Sequence, residues 1–304
     1  MSHIIEIKNL KKYFGDTKAV DDISFYVETG NLFAFLGLNG AGKSTTINIL
    51  VGLLTKDSGE CFVNNTSIDD INKILPNIGI VFQSSVLDKN LSVYDNLRYR
   101  AMLYGMNKKE FEANLEYFIN KLDLQEILKK QFDKLSGGQK RKVDIVRALI
   151  HKPKILILDE PTTGLDPKTR KLVWDMINEF RKTTNLTVLL TTHYMEEASI
   201  ADNVVIIDGG KIVAEGSPLT LKNKYASDFI KAYKYDNEII EILKKDHIPY
   251  KKDSKYLEIK FKNTDDAKNF LVEHSTLFSD IEIVKGSMDD VFLTVTGKEL
   301  KENV

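Results

Sequence analysis

The chain has 304 residues, long for a single core, and suggests two domains. Hydrophobic residues make up 42% and charged residues 29%, the balance of a globular chain, and a net charge of −1 offers no global basic field for nucleic acid. The single cysteine, Cys61, excludes an internal disulfide and fits a reducing compartment, and no apolar run approaches the roughly 20 residues that span a bilayer, so any membrane association must come through a partner.

The first residues, Met1-Ser2-His3-Ile4-Ile5-Glu6-Ile7, alternate like a strand and carry no signal-peptide pattern. Residues 4–9 read as an edge strand, residues 11–16 as a turn and residues 20–28 as a second strand. Tyr13 and Phe14 are aromatic residues beside that turn. They suit either the core of a small β-subdomain or stacking on a flat base such as adenine.

Residues 31–36 are nearly all apolar and read as a buried strand. The stretch Gly37-Leu38-Asn39-Gly40-Ala41-Gly42-Lys43-Ser44-Thr45 follows, and then a helical pattern over residues 46–51 closed by Gly52. Strand, glycine-rich turn and helix are the context of a phosphate-binding loop. Glycines let several N–H groups point into one hollow, and the helix amino end favours an anion there. Lys43 reaches a β- or γ-phosphate, and the Ser44 hydroxyl can ligate Mg²⁺.

Strand patterns recur over residues 60–63 and 78–82, the second ending at Gln83. Gln83 offers both a donor and an acceptor, suited to Mg²⁺ and an attacking water or to an ordinary loop. Ser92 to Asp95 has capping-box spacing for a helix to Tyr104, and helical patterns continue over residues 109–122 and 124–130. An all-helical insertion inside an α/β core is therefore expected. Its early apolar residues, among them Val86, Leu87, Tyr94, Leu97, Tyr99, Leu103 and Tyr104, are core by default; an exposed patch among them would mark a docking face.

Leu135-Ser136-Gly137-Gly138-Gln139 precedes an amphipathic helix over residues 140–150. Ser136 caps it and the glycines leave helix N–H groups bare, a second anion site. It is either only a cap or serves a nucleotide held by another copy of the chain. Ile155-Leu156-Ile157-Leu158-Asp159-Glu160 is a buried strand ending in two carboxylates. In a parallel sheet, strand carboxyl ends line one crevice, so Asp159 sits beside the phosphate loop to hold Mg²⁺. Glu160 points elsewhere, to accept a proton from water. Pro167 suits the first turn of a helix over residues 168–181. Residues 186–191 form another buried strand ending at Thr192-His193, so Gln83, Asp159 and His193 all end strands.

Tyr13, the 37–45 loop, Gln83, Leu135 to Gln139, Ile155 to Glu160, Leu165-Asp166 and His193 occur in the order and approximate spacing of an ABC-transporter ATP-binding subunit, which residues 1–222 resemble. The resemblance implies that Tyr13 stacks on adenine, that Ser44, Gln83 and Asp159 serve the metal, that Glu160 is the catalytic base and that His193 senses the γ-phosphate. It also implies that Ser136, Gly137, Gly138 and Gln139 clasp the ATP of an opposite subunit in a homodimer, with Asp166 reaching across. Gly164 departs from the alanine of many members. Asn39 and Pro161-Thr162-Thr163-Gly164-Leu165-Asp166-Pro167 look like the exporter branch, similar to daunorubicin-resistance-type ATPases with a separate permease chain. The implied place is the cytoplasmic face of the membrane, peripheral through that permease. A soluble ABC ATPase acting on ribosomes or nucleic acid is the alternative; a single cassette and near-zero charge disfavour it.

The expected fold is thus a P-loop NTPase α/β core with an antiparallel β-subdomain and a helical insertion (about 84–150), ending near residue 222. Residues 204–215 read as a hairpin and residues 216–224 as a short helix. Residues 223–304 alternate strand and helix over 228–235, 238–245, 256–261, 265–274, 281–285 and 288–295, an accessory α+β domain of β-α-β-β-α-β type. Its role is regulatory, dimer-stabilising, or none of its own.

Overall fold

The computed structural model describes residues 3–298. Met1 and Ser2, the head of the first expected strand, and residues 299–304, the end of the expected second domain, lie outside the described residues.

Strands β1 (His3–Phe14) and β2 (Thr17–Glu28) form a hairpin about Gly15 and Asp16. β3 (Leu32–Leu36) leads through the glycine loop into α1 (Lys43–Leu50). β4 (Ser58–Val63) and the two-residue β5 (Thr66–Ser67) return to the hairpin, giving an antiparallel sheet ordered β2-β1-β4-β5. Residues 4–9 therefore are not an edge strand, because β1 pairs on both sides and runs through the expected turn at residues 11–14. Alternating burial reports which face of a strand is covered and says nothing of its neighbours.

A single helical turn, α2 (Ile71–Ile74), precedes β6 (Ile78–Val81). The insertion holds α3 (Val93–Leu103), α4 (Lys108–Leu122) and α5 (Gly137–Leu149), each started by a side-chain cap from Ser92, Asn107 and Ser136. Residues 124–130 are turns instead of the expected helix. Asp123 ends α4 with φ +58, and the redirected chain spends its Leu128 and Lys130 carbonyls on the amides of Tyr94 and Val93 that open α3.

The chain then builds β7 (Ile155–Asp159), α6 (Pro167–Thr184), β8 (Thr187–Thr192), α7 (Met195–Ser199), β9 (Asn203–Asp208), β10 (Lys211–Gly216) and α8 (Pro218–Tyr225). The six-stranded sheet is ordered β10-β9-β3-β8-β7-β6, parallel except for β10. Its strands are apolar throughout because both faces are covered. Leu32, Ala34 and Leu36 pack with α5 and α6, while Phe33 and Phe35 face α1 and the antiparallel sheet. Helices on one side, a β-layer on the other and the helical insertion make the expected P-loop NTPase α/β fold.

Strand β11 (Asp228–Tyr235), α9 (Glu238–Lys245), β12 (Tyr250–Lys252), β13 (Leu257–Phe261), α10 (Thr264–Glu273) and β14 (Phe278–Val284) form a β-α-β-β-α-β unit with sheet order β12-β13-β11-β14. It has its own core, including Ile230, Ile239, Leu257, Ile259 and Phe270. The last helix, α11 (Met288–Thr296), leaves that unit: Met288, Val291 and Phe292 join Leu221 in the first large core.

Candidate functional site

The glycine loop spans the gap between β3, all of whose residues are buried, and α1. Gly42, the N-cap of α1, has φ +110, and a Cβ there would collide with the Ala19 carbonyl of the hairpin. Only glycine lets that turn close. The first-turn amides of Lys43, Ser44 and Thr45 have no carbonyl four residues back within the helix, so they face the hollow of the loop unpaired by α1. Lys43 is buried and folds back on the loop, its Nζ donating to Gly37 O at 2.7 Å and Leu38 O at 3.1 Å. Burial pulls its pKa down, opposed by the nearby Glu160 and Asp159 carboxylates.

The sheet order puts the ends of β3, β8, β7 and β6 side by side, and these ends carry the loop, His193, Asp159-Glu160 and Gln83. Asp159 ends β7 and accepts from Ser44 Oγ at 3.3 Å and from Thr191 Oγ1. Glu160 has φ +46, an uncommon conformation for a side chain with a Cβ, held by its amide donating to Thr191 O at 3.1 Å. That twist turns its carboxylate away from Asp159's partners. Glu160 Oε1 lies 3.7 Å from Lys43 Nζ and 3.3 Å from His193 Nδ1, while Oε2 accepts from Gln83 Nε2 at 3.4 Å. The structure thus brings Lys43, Ser44, Gln83, Asp159, Glu160 and His193 into one cluster of contacts.

The other expected residues lie apart from it. Ser136 and Gln139 bond each other in a capping box, and Ser136 and Gly137 are exposed. Asp166 caps α6 through Thr169, whose hydroxyl and amide hold its carboxyl below the usual range. A Cβ on Gly138 would stand 3.2 Å from the Thr169 side chain, so the two turns are neighbours. Tyr13 is half-buried and donates to Asp21 Oδ1 at 2.6 Å, and Phe14 beside it is exposed; neither belongs to a buried core.

Two site residues carry no sequence motif. Thr191, inside β8, bonds Asp159 and the Glu160 backbone. Glu197 on α7 is buried and accepts from Thr162, from Thr192 Oγ1 and, at 3.3 Å, from Trp174 Nε1. The usable signal for Glu197 was its place one turn beyond a strand-end histidine, on the inner face of a short helix.

The donor set suits a triphosphate with Mg²⁺. The loop offers amides unpaired by α1 and a buried cation, His193 Nδ1 is buried and makes no hydrogen bond although Glu160 Oε1 lies 3.3 Å away, and Ser44, Gln83 and Asp159 supply hard oxygens. One carboxylate is enough for Mg²⁺, which otherwise takes phosphate oxygens and water.

The family model described as ABC transporter matches residues 20–163. Nod factor export ATP-binding protein I of Rhizobium etli is 32% identical over 319 residues, covering 98% of this chain and 95% of that protein. The linearmycin resistance ATP-binding protein of Bacillus subtilis is 37% identical over 229 residues, covering 75% of this chain and 73% of that one. Among solved structures, a dimeric bacterial ABC transporter cassette is 26% identical with a TM-score of 0.65, covering 70% of this chain and 98% of its own; a post-hydrolysis state of that cassette bound to ADP and Pi aligns equally well.

Proposed function

Because the chain belongs to the ABC transporter family of ATP-binding proteins, we propose that it is the ATPase subunit of an exporter, working as a homodimer beneath a separate permease chain. The observation that carries this reading is the convergence of Lys43, Gln83 and His193 on Glu160 from the ends of four adjacent strands. Two relatives, named for Nod factor export and for linearmycin resistance, support outward transport of a drug, antibiotic, lipid or similar cargo. No helix among the described residues is long and apolar enough to cross a membrane, which fits attachment to the cytoplasmic face through the permease. Tyr99, Met102 and Leu103 are exposed on α3 at helical spacing, and Arg100 ties α3 to the backbone of exposed Val86, two residues before which lies Ser84 after Gln83. This is the face offered to the permease.

In the proposed cycle ATP lies on the 37–45 loop with its base on Tyr13. Lys43 exchanges the Gly37 and Leu38 carbonyls for phosphate oxygens. Mg²⁺, held by Ser44, Gln83 and Asp159, would neutralise phosphate charge. Ser136 to Gln139 and Asp166 of a second copy complete the site, so two copies enclose two nucleotides. Glu160 accepts a proton from the attacking water, and His193 holds the γ-phosphate. We assign residues 1–222 to this engine and residues 223–304 to an accessory domain, with α11 clasping the two together.

The test is the dependence of ATPase activity on protein concentration with MgATP saturating. Specific activity should rise steeply as the chain passes from monomer to dimer. A monomer held dilute that still turned over at the full rate would overturn the two-copy site.

A further inference from the structure

Helix α5 carries Arg141, Asp144 and Arg147 at every third position, and all three are buried. Charged residues on the inner face of a helix require partners. Arg141 finds four backbone carbonyls: Phe82 at 2.6 Å, Glu160 at 3.0 Å, Asp159 at 3.3 Å, and Pro161. Asp144 accepts from Ser85 Oγ at 2.9 Å, and Arg147 donates to Ile80 O. These contacts flank Gln83 on both sides and grip the backbone of both carboxylate residues. Gripping backbone matters, since a shift of α5 then moves the strand ends themselves and not only flexible side-chain tips. Only a guanidinium has the planar fork of donors to hold four carbonyls together.

The same helix starts at Ser136, little more than one turn before Arg141. In the proposed dimer, which this step rests on, the Ser136 turn touches the partner's nucleotide while Gln83 and Glu160 serve the nucleotide of their own chain. We infer that Arg141 is a positioning residue, helped by Asp144, that couples the two ATP sites: seating of the Ser136 turn in one site sets Gln83 and Glu160 in the other.

The experiment follows phosphate release by the full chain against ATP concentration, beside fluorescent-nucleotide affinity and a thermal melt. Arg141→Lys keeps the cation and loses the fork; Ser85→Ala removes the Asp144 link together with the acceptor of the Leu87 amide, and leaves every Arg141 contact in place. The unaltered chain should show a Hill coefficient above 1, and Arg141→Lys should bring it to about 1 with nucleotide affinity within about twofold. Ser85→Ala should lower it part of the way, and it decides the matter if Arg141→Lys does not fold. A Hill coefficient unchanged in the folded variants, or already 1 in the unaltered chain, overturns the coupling while leaving the ATPase reading intact. Absence of ATP-driven dimerisation in the unaltered chain would instead strike the reading beneath it.

Discussion

Lys43 Nζ stands 3.7 Å from Glu160 Oε1, with both side chains less than a tenth exposed. The cation assigned to phosphate in the proposed site thus rests between the loop carbonyls and the carboxylate proposed to act on water. A buried charge pair of this kind is costly to break by removing one partner and easily satisfied by exchanging it for another anion. In the proposed cycle, nucleotide binding would free Glu160 from its resting neighbour as it claims Lys43.

Lys43→Ala should weaken nucleotide binding by at least about 30-fold, corresponding to about 2 kcal/mol for a truncated charge-assisted contact. Equilibrium titration with a fluorescent ATP analogue reads this directly. Affinity equal to that of the parent chain would remove the loop from the site.

Glu160→Gln keeps the side-chain shape and its contact with Gln83 and removes the base. Hydrolysis should fall by about 10²- to 10⁴-fold while ATP still binds, so the variant should accumulate as an ATP-loaded dimer on size-exclusion chromatography. Rapid turnover by this variant would take the proton-accepting role away from Glu160.

His151 follows α5, stacks on Tyr104 with ring centroids 3.7 Å apart, and bonds Ile78 O through Nε2 at 3.2 Å. Burial, aided by the nearby Arg147, pushes its pKa down to about 4 from an ordinary 6.5. Between those values the unfolded chain binds more protons than the folded one, so stability falls as pH drops through that window. The loss approaches about 3 kcal/mol. His151→Phe keeps a ring against Tyr104 and cannot titrate. Urea midpoints at pH 7 and pH 4.5 should fall less on acidification in the variant than in the parent, although the variant starts about 1 kcal/mol lower for want of the bond to Ile78. Equal acid losses in the two proteins would place the sensitivity on another group.

The end of the sheet that carries the proposed site was legible in sequence because its signals are local. An apolar strand can end in Asp159-Glu160 or open on Gly37 only where the backbone leaves the core, and parallel strands end together. The chemistry that holds this end in place was not local. Arg141 and Asp144 lie in a stretch that reads only as an amphipathic helix, and their hydrogen-bond partners lie 18 to 59 residues away along the chain. The pairing of β1 on both sides escaped for the same reason, since it depends on β4 arriving from beyond the loop. Residues 124–130 have helical spacing, yet α3 needs their carbonyls, and that demand outweighs the local preference.

The last helix offers a test of how far the accessory region is separable. Phe292 is 1% exposed and sits with Met288, Val291 and Leu221 in the core that also holds Trp174, the only tryptophan of the chain. Indole fluorescence therefore reports on that core and not on the one built around Ile230. Phe292→Ala removes a ring from a packed site and should cost about 3–5 kcal/mol. For a unit of this size that corresponds to a fall of roughly 10 °C in the Trp174 transition. If α11 merely lay against a finished engine, the tryptophan transition would stay where it is and only the circular-dichroism signal of the accessory unit would move. A shared shift of both signals means that residues beyond 287 complete the ATPase core, and that cutting the chain near residue 222 would open a hydrophobic face over α8.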